Sequence, residues 1–175
     1  MKKLLAEIND HFRMLESRLQ CFSSNEVQVE AWFKGEMLFL LEQLKGKKFI
    51  KDFKAEVPAM GRKKIDIWIN FQAGQNWVEL KHWLIGTQKG NRWRAVDYVY
   101  DLENKFKKFD AVDAGSHGYV LVLCTENPGE EAWDMAIQKF NANCKPMRLV
   151  PCSSVFNYPK SYFLGLLQCL QKKAR

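Results

Sequence analysis

In the stretch KIDIWINFQAGQNWVELKHW, residues 64–83, three charged side chains fall inside runs that otherwise read as buried sheet. Asp66 interrupts an isoleucine alternation, and Glu79 and Lys81 flank Leu80. A charge removed from water is costly unless it is paired or binds a metal. In a strand over 64–71, Ile65, Ile67, Ile69 and Phe71 share one face and leave Asp66, Trp68 and Asn70 on the other. In a strand over 76–82, Val78 and Leu80 share one face, and Glu79 and Lys81 project together from the opposite one. The intervening QAGQN suits a tight hairpin, which would bring Asp66 toward Glu79 and Lys81. Two carboxylates can hold Mg²⁺, with Mn²⁺ as a substitute, because Mg²⁺ takes one or two carboxylates plus waters and substrate phosphates. A neighbouring lysine can position or deprotonate water, or stabilise charge on phosphate. Together this is the chemistry of phosphodiester hydrolysis.

The elements that must position these residues follow from periodicity. Residues 3–20 predict one amphipathic helix, with Leu5, Ile8, Phe12, Leu15 and Leu19 spaced by threes and fours. CFSSNE breaks it, and Ser23 with Glu26 fits a capping box opening a second helix that runs to about Leu44 and stops near Gly46. Strands are expected at about 49–57, 64–71 and 76–82, then the loop LIGTQKGN and a long helix at about 92–111. GYVLVLCT, 118–125, is a continuous apolar run of the kind covered on both faces. GEEAWDMAIQKFNAN reads as a helix, MRLVP as a short strand and SYFLGLLQCLQKK as a terminal helix. No repeat or low-complexity linker divides the chain, so residues 1–175 are expected to form one domain.

An acid on one strand, a hairpin, then acid-x-lysine on the next resembles the PD-(D/E)XK nuclease superfamily; here IDIWI supplies Asp66 and VELK supplies Glu79 and Lys81. The resemblance covers roughly residues 27–125 and implies an α/β fold of the restriction-endonuclease-like type. Its αβββαβ core has a mixed central sheet flanked by helices, here with extra N- and C-terminal helices and residues 1–22 as an accessory helix. It implies Asp66 and Glu79 as metal ligands, the Leu80 carbonyl as a further ligand and Lys81 as the catalytic lysine. Members often carry another acid on the first core helix, which maps to Glu36 in WFKGEMLFLL; it shares a helical face with Trp32, Phe39 and Leu40 and is expected to point at the metal or at Lys81. Glu56 is a rival acid, read as capping an exposed face. Ile65 stands where the family name has proline. The implied activity is Mg²⁺-dependent DNA cleavage, as an endonuclease of restriction, repair or recombination type. The alternatives are a non-catalytic DNA-binding or assembly module with the nuclease fold, and an RNA nuclease.

The balance of the chain bears on partners. Its formal net charge of +7 suits a polyanion. Arg62, Lys63, Lys64, Lys89, Arg92 and Arg94 flank the proposed site as candidate phosphate contacts, and Trp68, Trp77, Trp83 and Trp93 could stack on bases or pack. A cutter of duplex DNA without a recognition domain would need a partner or a homodimer to cleave both strands. Five cysteines without a C-x-x-C pair read as reduced thiols of a cytoplasmic protein, with no zinc-ligand spacing. Cys124 has no neighbouring histidine to activate it, His82 faces away from Lys81 as a core residue, and His117 reads as a loop residue. Glu7, Asp10 and His11 cut short the apolar start MKKLL, and no run reaches the roughly 18 residues of a membrane span, so a soluble protein is expected.

Overall fold

The structure, a computed structural model, describes residues 1–25, 27, 29–58, 64–83, 117–144, 147–152 and 159–171. Three helices open it: α1 (Lys2–Met14), α2 (Glu16–Ser24) and α3 (Glu30–Gly46). Strands β1 (Asp52–Pro58), β2 (Lys64–Phe71), β3 (Gly74–Trp83) and β4 (His117–Cys124) follow, then α4 (Glu130–Asn143), β5 (Met147–Pro151) and β6 (Phe163–Gln171). The strands form one six-stranded mixed sheet in the order β1-β2-β3-β4-β6-β5. β3 and β4 run parallel, and the other neighbours are antiparallel. The expected helix at 92–111 lies outside the described residues.

The β2–β3 hairpin forms because Ile67 and Ile69 alternate in phase with the pleat toward α1–α3, while Ile65, beyond Asp66, packs in the α4 layer. Ile65, Ile67 and Ile69 are each at most 1% exposed. Only Gln72 and Ala73 separate the facing pair Phe71 and Gly74. Gly74 takes φ 133°, ground that a side chain rarely tolerates. Two apolar layers hold the sheet. One joins α1, α2 and α3 to Ile67, Ile69, Val78, Leu80, Leu121 and Leu123. The other joins α4 to Val120, Val122, Cys124, Phe163 and Leu167. Each fully buried Leu, Ile or Phe contributes roughly 1.5–3 kcal/mol, so these layers dominate stability.

Three expectations are corrected. The single helix at 3–20 is two helices, broken at Leu15, whose N–H donates to Phe12 O at 3.0 Å and whose φ, ψ of −102°, 12° leaves the helical range. The capping box does not open α3. Ser23 lies inside α2, Ser24 Oγ donates back to Gln20 O at 2.9 Å, and α3 starts only at Glu30 without a side-chain cap. A serine hydroxyl that satisfies its own i−4 carbonyl in this way is not working as a forward cap.

The expected terminal helix is instead strand β6, seated between β4 and β5. Leucines favour helix in isolation, but residues 162–167 are buried without a break, the pattern of a strand covered on both faces. At Gly165 an added Cβ would stand 2.3 Å from the Trp133 ring, so the α4–β6 packing requires glycine there.

Candidate functional site

β2 and β3 are ladder-paired from Phe71 and Gly74 only as far as Ile67 and Val78. Asp66 is the next residue, where the two strands part. Its Oδ2 accepts the Leu80 backbone N–H at 3.0 Å, so a side chain takes over where the ladder stops. On the opposite side, β1 pairs Ala55 with Ile67 and Val57 with Ile65, and the ladder skips Glu56 and Asp66. Glu56 takes φ 51°, a left-handed conformation unusual for a residue inside a strand.

α3 supplies the other wall. Phe33, Met37, Leu40, Leu41 and Leu44 are buried along it, which fixes its rotation. Glu30 and Lys34, four residues apart, therefore share a face one turn apart. Lys34 Nζ donates to Asp66 Oδ1 at 3.0 Å and also pairs with Glu56. Lys64 Nζ stands 3.9 Å from the other Glu56 oxygen. Lys81, only 3% exposed, donates to Glu30 Oε1 at 3.3 Å. Glu30, Ala31, Lys34, Asp66 and Leu80 line an open cleft of about 450 Å³.

Glu79 is placed differently from Asp66. It sits opposite Val120 of β4, on the side of the sheet that α4 covers, and is 2% exposed. Burial raises the Cys169 thiol pKa well above its usual value, and Cys144, Cys152 and the Glu79 charge add to that rise. The cleft wall thus includes Asp66 and Leu80, while Lys81 joins it through Glu30. Among the described residues, no three His, Cys, Asp or Glu side chains gather to hold a metal ion. The donors nonetheless suit Mg²⁺ chemically: carboxylates and a backbone carbonyl are hard oxygens, with water and phosphate left to complete the shell. The Lys34 ammonium on Asp66 Oδ1 already marks that oxygen as a place where a cation rests.

The expectation that Glu36 points at the metal or meets Lys81 is overturned. Glu36 Oε2 is 3.1 Å from His11 Nε2, and Oε1 accepts from Arg18 at 3.4 Å, so it ties α3 to α1 and α2. Six residues carry Glu36 about 240° around the helix from Glu30. Glu30 and Lys34 are the residues that sequence reasoning missed. Their i, i+4 spacing in EAWFK was the available signal.

The remaining candidates fall into place by burial. His82 is buried and bonds Thr125 Oγ1 at 3.1 Å; desolvation lowers its pKa to about 4, so it is neutral near pH 7. Burial pushes the Cys124 thiol far above its usual value, which suits packing and not nucleophilic attack. His117 opens β4 instead of sitting in a loop. Trp83 packs with its ring centroid 6.0 Å from that of Trp133, whereas Trp68 donates to Gln75 Oε1 at 3.1 Å under the Lys54 ammonium. Lys64 is exposed, and Arg62, Lys63, Lys89, Arg92, Trp93 and Arg94 lie outside the described residues.

Comparison of the chain with protein-family models, with curated proteins and with solved structures returned no match. No helix among the described residues is long and apolar enough to cross a membrane.

Proposed function

We propose that the chain is a Mg²⁺-dependent nuclease that hydrolyses DNA phosphodiester bonds internally, built on a restriction-endonuclease-like core. One observation carries this reading. Asp66 and Lys81, from neighbouring strands, are each held by a residue of α3; Asp66 lines the cleft where β2 parts from β3, and Lys81 is tied to its wall through Glu30. The element order supports it too: a helix, three antiparallel strands, then β4 parallel to β3.

Asp66 and the Leu80 carbonyl, both on the cleft wall, would hold the ion, and Mg²⁺ would supply Lewis-acid polarisation of the phosphate. Lys81, paired with Glu30, carries positive charge to the phosphate oxygens as negative charge builds on them. Water adds to phosphorus and the bond from phosphorus to one sugar oxygen breaks. One water proton ends on the departing oxygen and the other in solvent.

A second reading, a DNA-binding or assembly module without turnover, is favoured by a specific contact: Lys34 already neutralises Asp66. Digestion of supercoiled, linear, single-stranded and branched DNA, and of RNA, separates the two. Cleavage is expected with Mg²⁺ or Mn²⁺, while Ca²⁺, larger and less strict in geometry, allows binding with little turnover. Hydrolysis that persists in excess EDTA rules out the metal mechanism, and tight DNA binding without cleavage under any condition favours the second reading.

A further inference from the structure

Lys34 stands on an oxygen that the proposed metal site needs. Its Nζ is 3.0 Å from Asp66 Oδ1, and Asp66 Oδ2 is bound to the Leu80 N–H at 3.0 Å. A divalent ion entering at Asp66 must therefore share or displace that ammonium. Lys34 also has a second anionic partner within reach, Glu56, on the neighbouring edge strand. Glu56 holds φ 51° at the one residue pair that the β1–β2 ladder skips between Ala55–Ile67 and Val57–Ile65. A left-handed residue inside a strand costs energy and persists only where the surroundings impose it, and such outliers cluster at functional sites. Here the kink stands opposite Asp66 and places a carboxylate on Lys34.

We propose that Lys34 and Glu56 form a cation-exchange pair for the metal site, in which Lys34 neutralises Asp66 until a divalent ion arrives and then moves wholly onto Glu56. The inference rests on the metal-dependent reading and adds two residues to it. Lys34 competes for the ligand oxygen, and Glu56 receives the displaced ammonium. The exchange keeps every charge partnered. Without it, metal entry would leave a lysine that is only 22% exposed beside a divalent ion. It also keeps a positive charge at the rim of the cleft, next to the place where a phosphate would lie.

The two residues have opposite expected signs. Mn²⁺ binding to the full chain, read by electron paramagnetic resonance or calorimetry, requires no turnover. Lys34→Met keeps most of the aliphatic stem and removes the competitor, so Mn²⁺ should bind about tenfold tighter or more. Glu56→Gln removes the receiving carboxylate and should weaken binding, by more when Lys34 is present than in a Lys34→Met background. Lys64→Met also removes a cation near Glu56, but one that does not touch Asp66, so its smaller gain measures the general field. Melting curves in EDTA establish that each variant is folded. Wild-type Mn²⁺ binding that Lys34→Met leaves unchanged, or improves no more than Lys64→Met does, overturns the exchange and leaves the metal reading standing. Absence of Mn²⁺ binding in both wild type and Lys34→Met overturns both.

Discussion

Two carboxylates six residues apart on α3 meet opposite surroundings. Glu30 faces the cleft, accepting from the buried Lys81 at 3.3 Å, while Glu36 is enclosed by His11 at 3.1 Å and Arg18 at 3.4 Å. The first lies where strands part and an open cleft remains, and the second lies where three helices meet. Exposure does not distinguish them in the way a functional search would assume. The Glu36 side chain is 16% exposed and the Glu30 side chain 37%, so the more enclosed acid is the structural one. What distinguishes them is the partner. A carboxylate closed off by side chains from neighbouring helices fixes packing, whereas one that shares a cleft wall with another charged network can act on a ligand.

The largest expected effect tests this contrast directly. Lys81→Ala should lower DNA cleavage by about 100-fold or more, the usual scale for losing a group that acts on the reacting phosphate or water. Glu30→Gln, which only loosens Lys81, should cost about tenfold. Glu36→Gln should leave cleavage close to wild type and lower stability by about 1 kcal/mol through the weakened helix contact. Plasmid cleavage rates and melting temperatures of the three variants measure this. Cleavage lost in Glu36→Gln but retained in Glu30→Gln would reverse the assignment.

A second effect sharpens the contrast between neighbours on β3. Both are buried, but Lys81 donates to Glu30 on the cleft wall, while His82 bonds Thr125. The folded pKa of His82, about 4, lies below the ordinary value of 6.5. The unfolded chain therefore takes up a proton first as the pH falls. The contribution is fully present above pH 6.5 and is lost between there and about pH 4, on the order of 3 kcal/mol in all. Denaturant melts of wild type and His82→Gln across that range should show a steeper loss for wild type. Parallel pH profiles would mean that His82 is protonated in the fold or titrates alike in both states.

Much of this was legible in the sequence because local period and global burial agree there. The alternation of Ile67 and Ile69 in β2, the hairpin turn ahead of Gly74, the apolar run of β4 and the helix α4 each occur where the pattern puts them, whereas Ile65, expected on the same face, packs in the α4 layer. The failures share a cause. Phe163–Leu167 has no polar side chain, and a short run like that carries no period to separate strand from helix. Glu36 was chosen for the oddity of a charge among aromatics, yet its partners His11 and Arg18 lie 25 and 18 residues away on helices whose docking no local pattern reveals. Glu79 shows the same limit. Alternation places it beside Lys81 on one face, but only the sheet order shows that α4 covers that face.

The smallest effect lies at the rim of the cleft, in the backbone of Glu56. In a strand, glycine is ordinarily worse than alanine by roughly 0.5–1 kcal/mol, because it loses more freedom on folding. At φ 51° the order should invert. A left-handed conformation costs an ordinary L-residue about 1–2 kcal/mol, which alanine retains and glycine does not. Both substitutions remove the same carboxylate from Lys34 and Lys64, so the lost ion pairs cancel in the comparison. Glu56→Gly should therefore be more stable than Glu56→Ala by a few tenths to about 1 kcal/mol in EDTA. Lys54, two residues earlier in β1 and without a positive φ, supplies the reference, where the alanine variant should be the more stable. Equal ordering at both positions would mean that β1 relaxes to ordinary strand geometry at Glu56, and that the carboxylate is not held on Lys34 by the backbone.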